Sequence, residues 1–240
     1  MIKNIVHSLK DFLIDPIADV LFPPLCYICQ THLSYGRLII CKKCWDKIPV
    51  HSAQKESDVH QSSFNNSFIL FEFEETIRQL IHLFKYRRHL ALARYFALEL
   101  IRQFPDIGHH SYQTIIPVPL YKTRKRERGY NQSELLAREI GIVTQIPVKN
   151  ELLKRIRPTA TQTRMSTEER EKNVKEAFYC SARRSFTKVL LVDDVITTGS
   201  TIESCIKILK KSKIAVEVDV MAIAQPRLSN ESLLLDDIKE

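Results

Sequence analysis

The 240-residue sequence predicts an α/β fold, a mostly parallel sheet with flanking helices, preceded by a small four-cysteine module. Three observations predict it. Residues 189–192 (VLLV) are an unbroken apolar run, the pattern of a strand buried on both faces, and Ile202, Cys205, Ile206 and Leu209 then recur at helical spacing. Residues 114–120 (TIIPVPL) form a second short apolar strand, which Pro117 and Pro119 force out of the sheet. Near the N-terminus, Cys26-x2-Cys29 and Cys41-x2-Cys44, eleven residues apart, present two thiolate pairs of the kind that closes a four-sulfur Zn2+ site.

In order, the chain reads as an N-terminal helix and zinc-ribbon module over 1–50, a linker over 51–67, an α/β domain over 68–226 and a polar tail over 227–240. Ile2, Ile5, Val6, Leu9, Phe12 and Leu13 share a helical face, expected to pack on the body of the protein rather than on a membrane surface. Asp11, Asp15 and Asp19 interrupt any secretory pattern, and no apolar run approaches membrane-spanning length, so a soluble, cytoplasmic protein is expected. A reducing cytosol disfavours disulfides among the four cysteines. With all four positions filled by Cys26, Cys29, Cys41 and Cys44, each pair at the end of a hairpin, the expected ion is structural. His32 lies outside both pairs and reads as loop, and the serine-rich residues 49–67 have no periodicity.

Phe68, Leu70, Phe71 and Phe73 suggest a strand or hairpin arm, and Ile77, Leu80, Ile81 and Phe84 a helical face. The basic cluster 85–89 then leads to an Ala- and Leu-rich helix over 90–101; it reads as a solvated junction as readily as a phosphate contact. Beyond residue 120, Lys122, Arg124, Lys125, Arg126 and Arg128 read as a basic loop, and Asn131 with Glu134 as the capped start of a helix that Gly141 ends. Residues 154–178 are polar and Arg-rich, with a capping box at 166–169, and read as a lid closing on an anion through Arg157, Gln162, Arg164 and Arg170. Val216, Val218 and Val220 alternate with Glu217 and Asp219 in a last strand ending at Ala224. Cys205 reads as core, and Cys180 has no visible partner.

The chemistry concentrates at residues 193–201. A strand–loop–helix junction brings backbone N–H groups and the partial positive charge of a helix N-terminus to one point, which suits a phosphate. Thr197, Thr198, Ser200 and Thr201 add hydroxyl donors, and Gly199 allows close backbone approach. Asp193 and Asp194 call for hydroxyls instead, so the pair and the loop together imply a sugar phosphate, with the diol on the acids. A receiver domain also opens with an apolar strand and two acids, but too little chain follows Thr201 to complete it. A formal net charge of +8 and a pI near 9.2 favour anionic partners, a sugar phosphate or nucleic acid or both.

The apolar run, two acids and T-T-G-S-T resemble the 5-phosphoribosyl-1-pyrophosphate (PRPP) signature of type I phosphoribosyltransferases. The wider order of blocks resembles the ComF family: LFPPLCYIC, LFKYRRHLALAR, IIPVPL with RERGYNQSELLA, R-x-R-x-T-x-x-Q, E-R-x-x-N-V-x-x-A-F and VLLVDDVITTGST, from about residue 21 to 225. That resemblance implies a zinc ribbon joined to a type I phosphoribosyltransferase fold, binding PRPP or a related phosphoribosyl ligand with Mg2+. It implies that Asp193 and Asp194 serve catalysis by holding the ribose hydroxyls, and that Thr197, Thr198, Gly199, Ser200 and Thr201 hold the 5-phosphate. Arg128, Tyr130, Asn131 and Gln132 would border the pyrophosphate, and Gln162 would open the lid segment 162–173. It also implies the alternative of an accessory protein of competence and DNA uptake, with single-stranded DNA and a DNA-uptake helicase as partners and no turnover. No residue set selects an acceptor.

Overall fold

In the computed structural model, residues 24–33, 39–51, 64–109, 112–157, 177–180 and 184–226 are described, and the chain divides into two compact units, Met1–Ile48 and Pro49–Glu240. In the first unit, a turn is closed by a bridge between Leu25 and His32 and by the Cys26 N–H donating to the Thr31 carbonyl. The one-turn helix α1 (Lys42–Trp45) follows. Cys41 caps it, its Sγ accepting from the Cys44 N–H at 3.4 Å. The second thiol pair therefore sits at a helix start, not at the hairpin end expected for it.

The second unit runs β1 (Ser67–Glu72), α2 (Glu75–Tyr86), α3 (Ala91–Gln103), a 3-10 turn (Pro105–His109), β2 (Thr114–Pro117), α4 (Lys122–Arg128) and α5 (Gln132–Thr144). It continues with β3 (Leu153–Arg155), β4 (Phe178–Cys180), β5 (Phe186–Val195), α6 (Ser200–Lys211) and β6 (Ala215–Gln225). Four strands form one sheet in the order β1-β6-β5-β2, every pair parallel, and β3 and β4 form a separate antiparallel pair. This is the α/β architecture the sequence predicts. β1 joins as a parallel edge strand beside β6 and is not the arm of a hairpin.

Burial explains the strands. Val189, Leu190, Leu191 and Val192 are wholly buried in β5, flanked by β2 and β6, and the α6 stripe of Ile202, Cys205, Ile206 and Leu209 packs in the same core as Val189 and Leu191. On α2, Ile77, Leu80, Ile81 and Phe84 are buried, and the Phe84 ring lies 6.1 Å from that of Phe96 on α3. In β6 the expected alternation fails. Val216 is 66% exposed while Asp219 is fully buried, because both faces of the strand are covered from Val218 onward.

Asp219 is compensated fully, as a buried carboxylate must be. It accepts from the Tyr112 hydroxyl at 2.5 Å and from the Asn66 main-chain and side-chain N–H groups at 2.9 and 3.1 Å, and the Lys188 ammonium lies 3.2 Å away. Both ends of the stretch preceding β1 are hydrogen-bonded to the sheet: His51 N–H donates to the Leu70 carbonyl, and Asn65 N–H to that of Val218.

Two further readings change. Residues 122–128, expected as a loop, form a helix with no buried residue. α5 does not end at Gly141 but runs to Thr144, with Gln145 left-handed at φ 61°. Gly141 instead lets the returning chain come close, since a Cβ there would lie 2.7 Å from the Val148 side chain and 2.9 Å from the Ile146 carbonyl.

Candidate functional site at the carboxyl edge of the sheet

Because every strand in the main sheet is parallel, all four carboxyl ends share one edge, the edge where ligands bind in open α/β sheets. β5 delivers Asp193 and Asp194 there. The loop that follows is pinned by the Ile196 N–H donating to the Ala224 carbonyl at 3.1 Å, which leaves Thr198 and Ser200 exposed. Gly199 takes φ 74°, a left-handed conformation that glycine adopts without strain, and starts α6. The Thr198 and Ser200 hydroxyls lie 3.1 Å apart beside the N–H groups of the first turn of α6. Acids, hydroxyls and helix N-terminus thus follow one another within nine residues, 193–201.

The two acids are held differently. Asp193 is 8% exposed, and its Oδ1 accepts from the Ser133 hydroxyl at 2.8 Å and from the Asp194 N–H at 2.9 Å. Burial first, and the Asp194 charge second, push Asp193 above the ordinary carboxylate range. Burial acts in the same sense on Asp194, but the Lys85 ammonium, 2.6 Å from Oδ2, overrides it and holds Asp194 below that range. One member of the pair is a firm carboxylate and its neighbour is drawn towards the protonated form. Such a pair can both accept from and donate to vicinal hydroxyls.

The residues expected around a pyrophosphate meet the last turn of α2. The Tyr130 hydroxyl donates to the Phe84 carbonyl, and Gln132 Nε2 to the Lys85 carbonyl at 3.5 Å. Arg128 lies over the Tyr86 ring, 4.8 Å from its centroid, and donates to the Tyr86 hydroxyl at 2.9 Å and to Gln132 Oε1 at 3.2 Å. Asn131 does not make the side-chain cap expected of it. Its Nδ2 donates to the Val118 carbonyl at 3.0 Å, its buried Oδ1 has no hydrogen-bond partner, and Glu134 instead accepts from Lys125 and Asn150. Gln162, Arg164 and Arg170 lie outside the described residues, as does the expected lid; Arg157 is described and exposed.

Ser133 is a site-edge residue that sequence reasoning missed, and Lys85, read only within the basic cluster 85–89 as a junction or a phosphate contact, was not tied to Asp194; both left a signal. Lys85 continues the Ile77–Ile81 spacing by another four residues, and Ser133 precedes Leu136, Ala137 and Ile140 at three, four and seven. A polar residue in phase with an apolar stripe points inward.

In the first unit, the Sγ atoms of Cys26, Cys29, Cys41 and Cys44 all lie within 4.8 Å of one another, with Cys29 and Cys41 3.7 Å apart. Tetrahedral Zn–S bonds of about 2.3 Å require sulfur–sulfur edges of about 3.8 Å, so the cluster is compatible with Zn2+. The Thr31 hydroxyl pulls Cys29 down to about 6, while the neighbouring Cys29 pushes Cys44 up to about 12. Four thiols this close ionise together only around a shared cation. The cluster does not include His32, and it is the one group of three or more His, Cys, Asp or Glu ligand atoms among the described residues. Among those residues no helix is long and apolar enough to cross a membrane.

No protein-family model matches the chain. Competence protein F of Haemophilus influenzae is 32% identical over 209 residues, covering 84% of this chain and 90% of that protein. DNA utilization protein YhgH of Escherichia coli K12 is 29% identical, covering 79% and 92%, and competence protein ComFC of Bacillus subtilis is 24% identical, covering 80% of each. Among solved structures, an adenine phosphoribosyltransferase superposes with a TM-score of 0.38 at 13% identity, covering 63% of this chain and 78% of that one. A purine phosphoribosyltransferase from Pyrococcus horikoshii gives 0.34 at 14%, covering 55% and 80%.

Proposed function

The chain belongs to the ComF family of competence proteins, and from that premise we propose that it binds PRPP or a related 5-phosphoribosyl ligand at the carboxyl edge of its sheet. The observation that carries the reading is the unequal acid pair, Asp193 on Ser133 and Asp194 on Lys85, followed directly by the hydroxyl-lined start of α6. Asp193 and Asp194 take the ribose hydroxyls, and residues 197–201 take the 5-phosphate through N–H and O–H donors. In a transfer reaction, a nucleophilic nitrogen of the acceptor bonds to C1 as the C1–O bond breaks, and pyrophosphate leaves with the electron pair. The chain's share is to hold the sugar rigidly and to keep water out.

Mg2+ fits this donor set in a restricted sense. Asp194, the firm carboxylate of the pair, would supply a hard oxygen ligand, but no group of three or more acidic, histidine or cysteine ligand atoms includes the pair among the described residues. Mg2+ tolerates that, keeping several waters and taking substrate phosphate oxygens. When bound, it would neutralise charge on the departing pyrophosphate. We assign Zn2+ to Cys26, Cys29, Cys41 and Cys44 as a structural ion.

A thermal melt with PRPP and Mg2+ tests the reading. Ligand at a hundredfold its Kd stabilises the fold by about 2.7 kcal/mol, and Asp193→Asn with Asp194→Asn removes that gain. A wild-type protein whose melt PRPP leaves unmoved would overturn it.

One observation favours a second reading. α4 exposes Lys122, Arg124, Lys125 and Arg126 on a helix with no buried residue, a surface suited to the backbone of single-stranded DNA. Such binding weakens with salt, at a log–log slope of about −0.7 per phosphate neutralised, and it survives the Asp193 and Asp194 substitutions. It falls when Arg124, Lys125 and Arg126 are neutralised. A protein partner alone, such as a DNA-uptake helicase, is left if neither ligand binds.

A further inference from the structure

Lys85 is a cation placed by the fold rather than by solvent. Its main chain is gripped on either side: Tyr130 donates to the carbonyl of residue 84, Gln132 to its own carbonyl, and Arg128 covers residue 86. The side chain is 12% exposed and its ammonium meets Asp194 Oδ2 at 2.6 Å. The contact with Asp194 is an ion pair, and an ammonium has three N–H donors with which to meet a further anion. The nearby guanidinium of Arg128 is already turned on Tyr86 and Gln132. On the phosphoribosyl reading, Asp193 and Asp194 hold the hydroxyls of C2 and C3, and the pyrophosphate is carried on C1, one carbon away. A cation fixed against the diol-binding carboxylate is therefore next to that anion, and two adjacent acids would repel a polyanion without it.

We propose that Lys85 is a phosphate-binding residue of this crevice, its ammonium lying between Asp194 and the pyrophosphate end of the ligand and bonding to both. The proposal rests on the phosphoribosyl reading and adds to it a residue from α2, outside the 193–201 motif. It assigns the fixed charge at the leaving group to the chain itself, in addition to any ion the pyrophosphate brings.

The test is calorimetric titration of PRPP, ribose 5-phosphate and inorganic pyrophosphate into wild type, Lys85→Met, Lys85→Arg, and Lys85→Met combined with Asp194→Asn. Hydrogen bonds to charged groups are strong enough that Lys85→Met should weaken PRPP by about tenfold or more while changing ribose 5-phosphate by less than about threefold, and pyrophosphate binding should disappear. Lys85→Arg should keep part of the PRPP preference. The combined variant removes the buried carboxylate that Lys85→Met leaves unpaired, so it should melt close to wild type yet still lack the preference; it reads out the proposal if the single variant does not fold. A wild-type ratio of PRPP to ribose 5-phosphate affinity in either Met variant would overturn the assignment of Lys85 alone. Wild type that binds none of the three probes would overturn the phosphoribosyl reading, and this proposal with it.

Discussion

Asp193 and Asp194 are adjacent in sequence and opposite in demand. Asp193 is pushed up to about 8, first by burial and then by the charge of Asp194, against an ordinary value near 4. Its proton is thus bound more tightly in the folded chain than in the unfolded one. The stability it contributes is complete below the ordinary carboxylate value and is lost as pH rises through about 8. Asp194, held low by Lys85, has the reverse dependence, its contribution being lost only as pH falls below the ordinary value. Asparagine copies the shape of a protonated aspartate and cannot ionise. Asp193→Asn should therefore gain on wild type as pH rises from 5 to 9, by at least the 2–4 °C that about 1 kcal/mol gives in a chain of this size. Melting curves across that range check it, and a constant offset between the two proteins would sink the assignment.

At the scale of elements, α5 shows two local terms of opposite sign. Replacing a mid-helix glycine by alanine ordinarily stabilises by about 1 kcal/mol. At Gly141 the new Cβ would stand 2.7 Å from Val148 and 2.9 Å from the Ile146 carbonyl, and the second of these is backbone, which does not swing aside. Overpacking costs about 1–3 kcal/mol, so Gly141→Ala should lower the urea midpoint, with a net loss of about 1 kcal/mol, where an unobstructed mid-helix glycine would gain. The same helix explains what could be read in the sequence. β5 was legible as an unbroken apolar run, and α2, α3 and α6 because each buries a periodic apolar face, such as Ile202, Cys205, Ile206 and Leu209. α4 was not, because it buries nothing and so leaves no periodicity in its run of bases. The end of α5 was misplaced because a glycine that serves close packing looks like one that serves a cap. In the site, the order of acids, hydroxyls and glycine was local and therefore visible. The Lys85–Asp194 pair joins positions 109 apart, and only the fold brings them together.

For the whole molecule, the two units depend on different sources of stability. Pro49–Glu240 has a parallel sheet whose strands are wholly buried at the centre. In the first unit, Cys26, Leu33, Ile40 and Ile48 are the buried apolar side chains among the described residues 24–33 and 39–48, little apolar surface to offset the entropy of ordering those residues. Below about 40 to 50 residues such modules need a cross-link, and structural Zn2+ in zinc-finger peptides supplies about 10–16 kcal/mol of apparent binding energy that is also folding energy. The four sulfurs here lie within 4.8 Å of one another, with Cys29 and Cys41 3.7 Å apart, which is compatible with such an ion. Metal analysis should therefore find one zinc per chain, lost in Cys26→Ser with Cys29→Ser or on treatment with a strong chelator. Loss of the ion should expose residues 24–48 to limited proteolysis while the main thermal transition, set by the sheet, moves by no more than a few degrees. A chain stripped of metal whose first unit resists protease as before would show that the thiol cluster does not hold the module together.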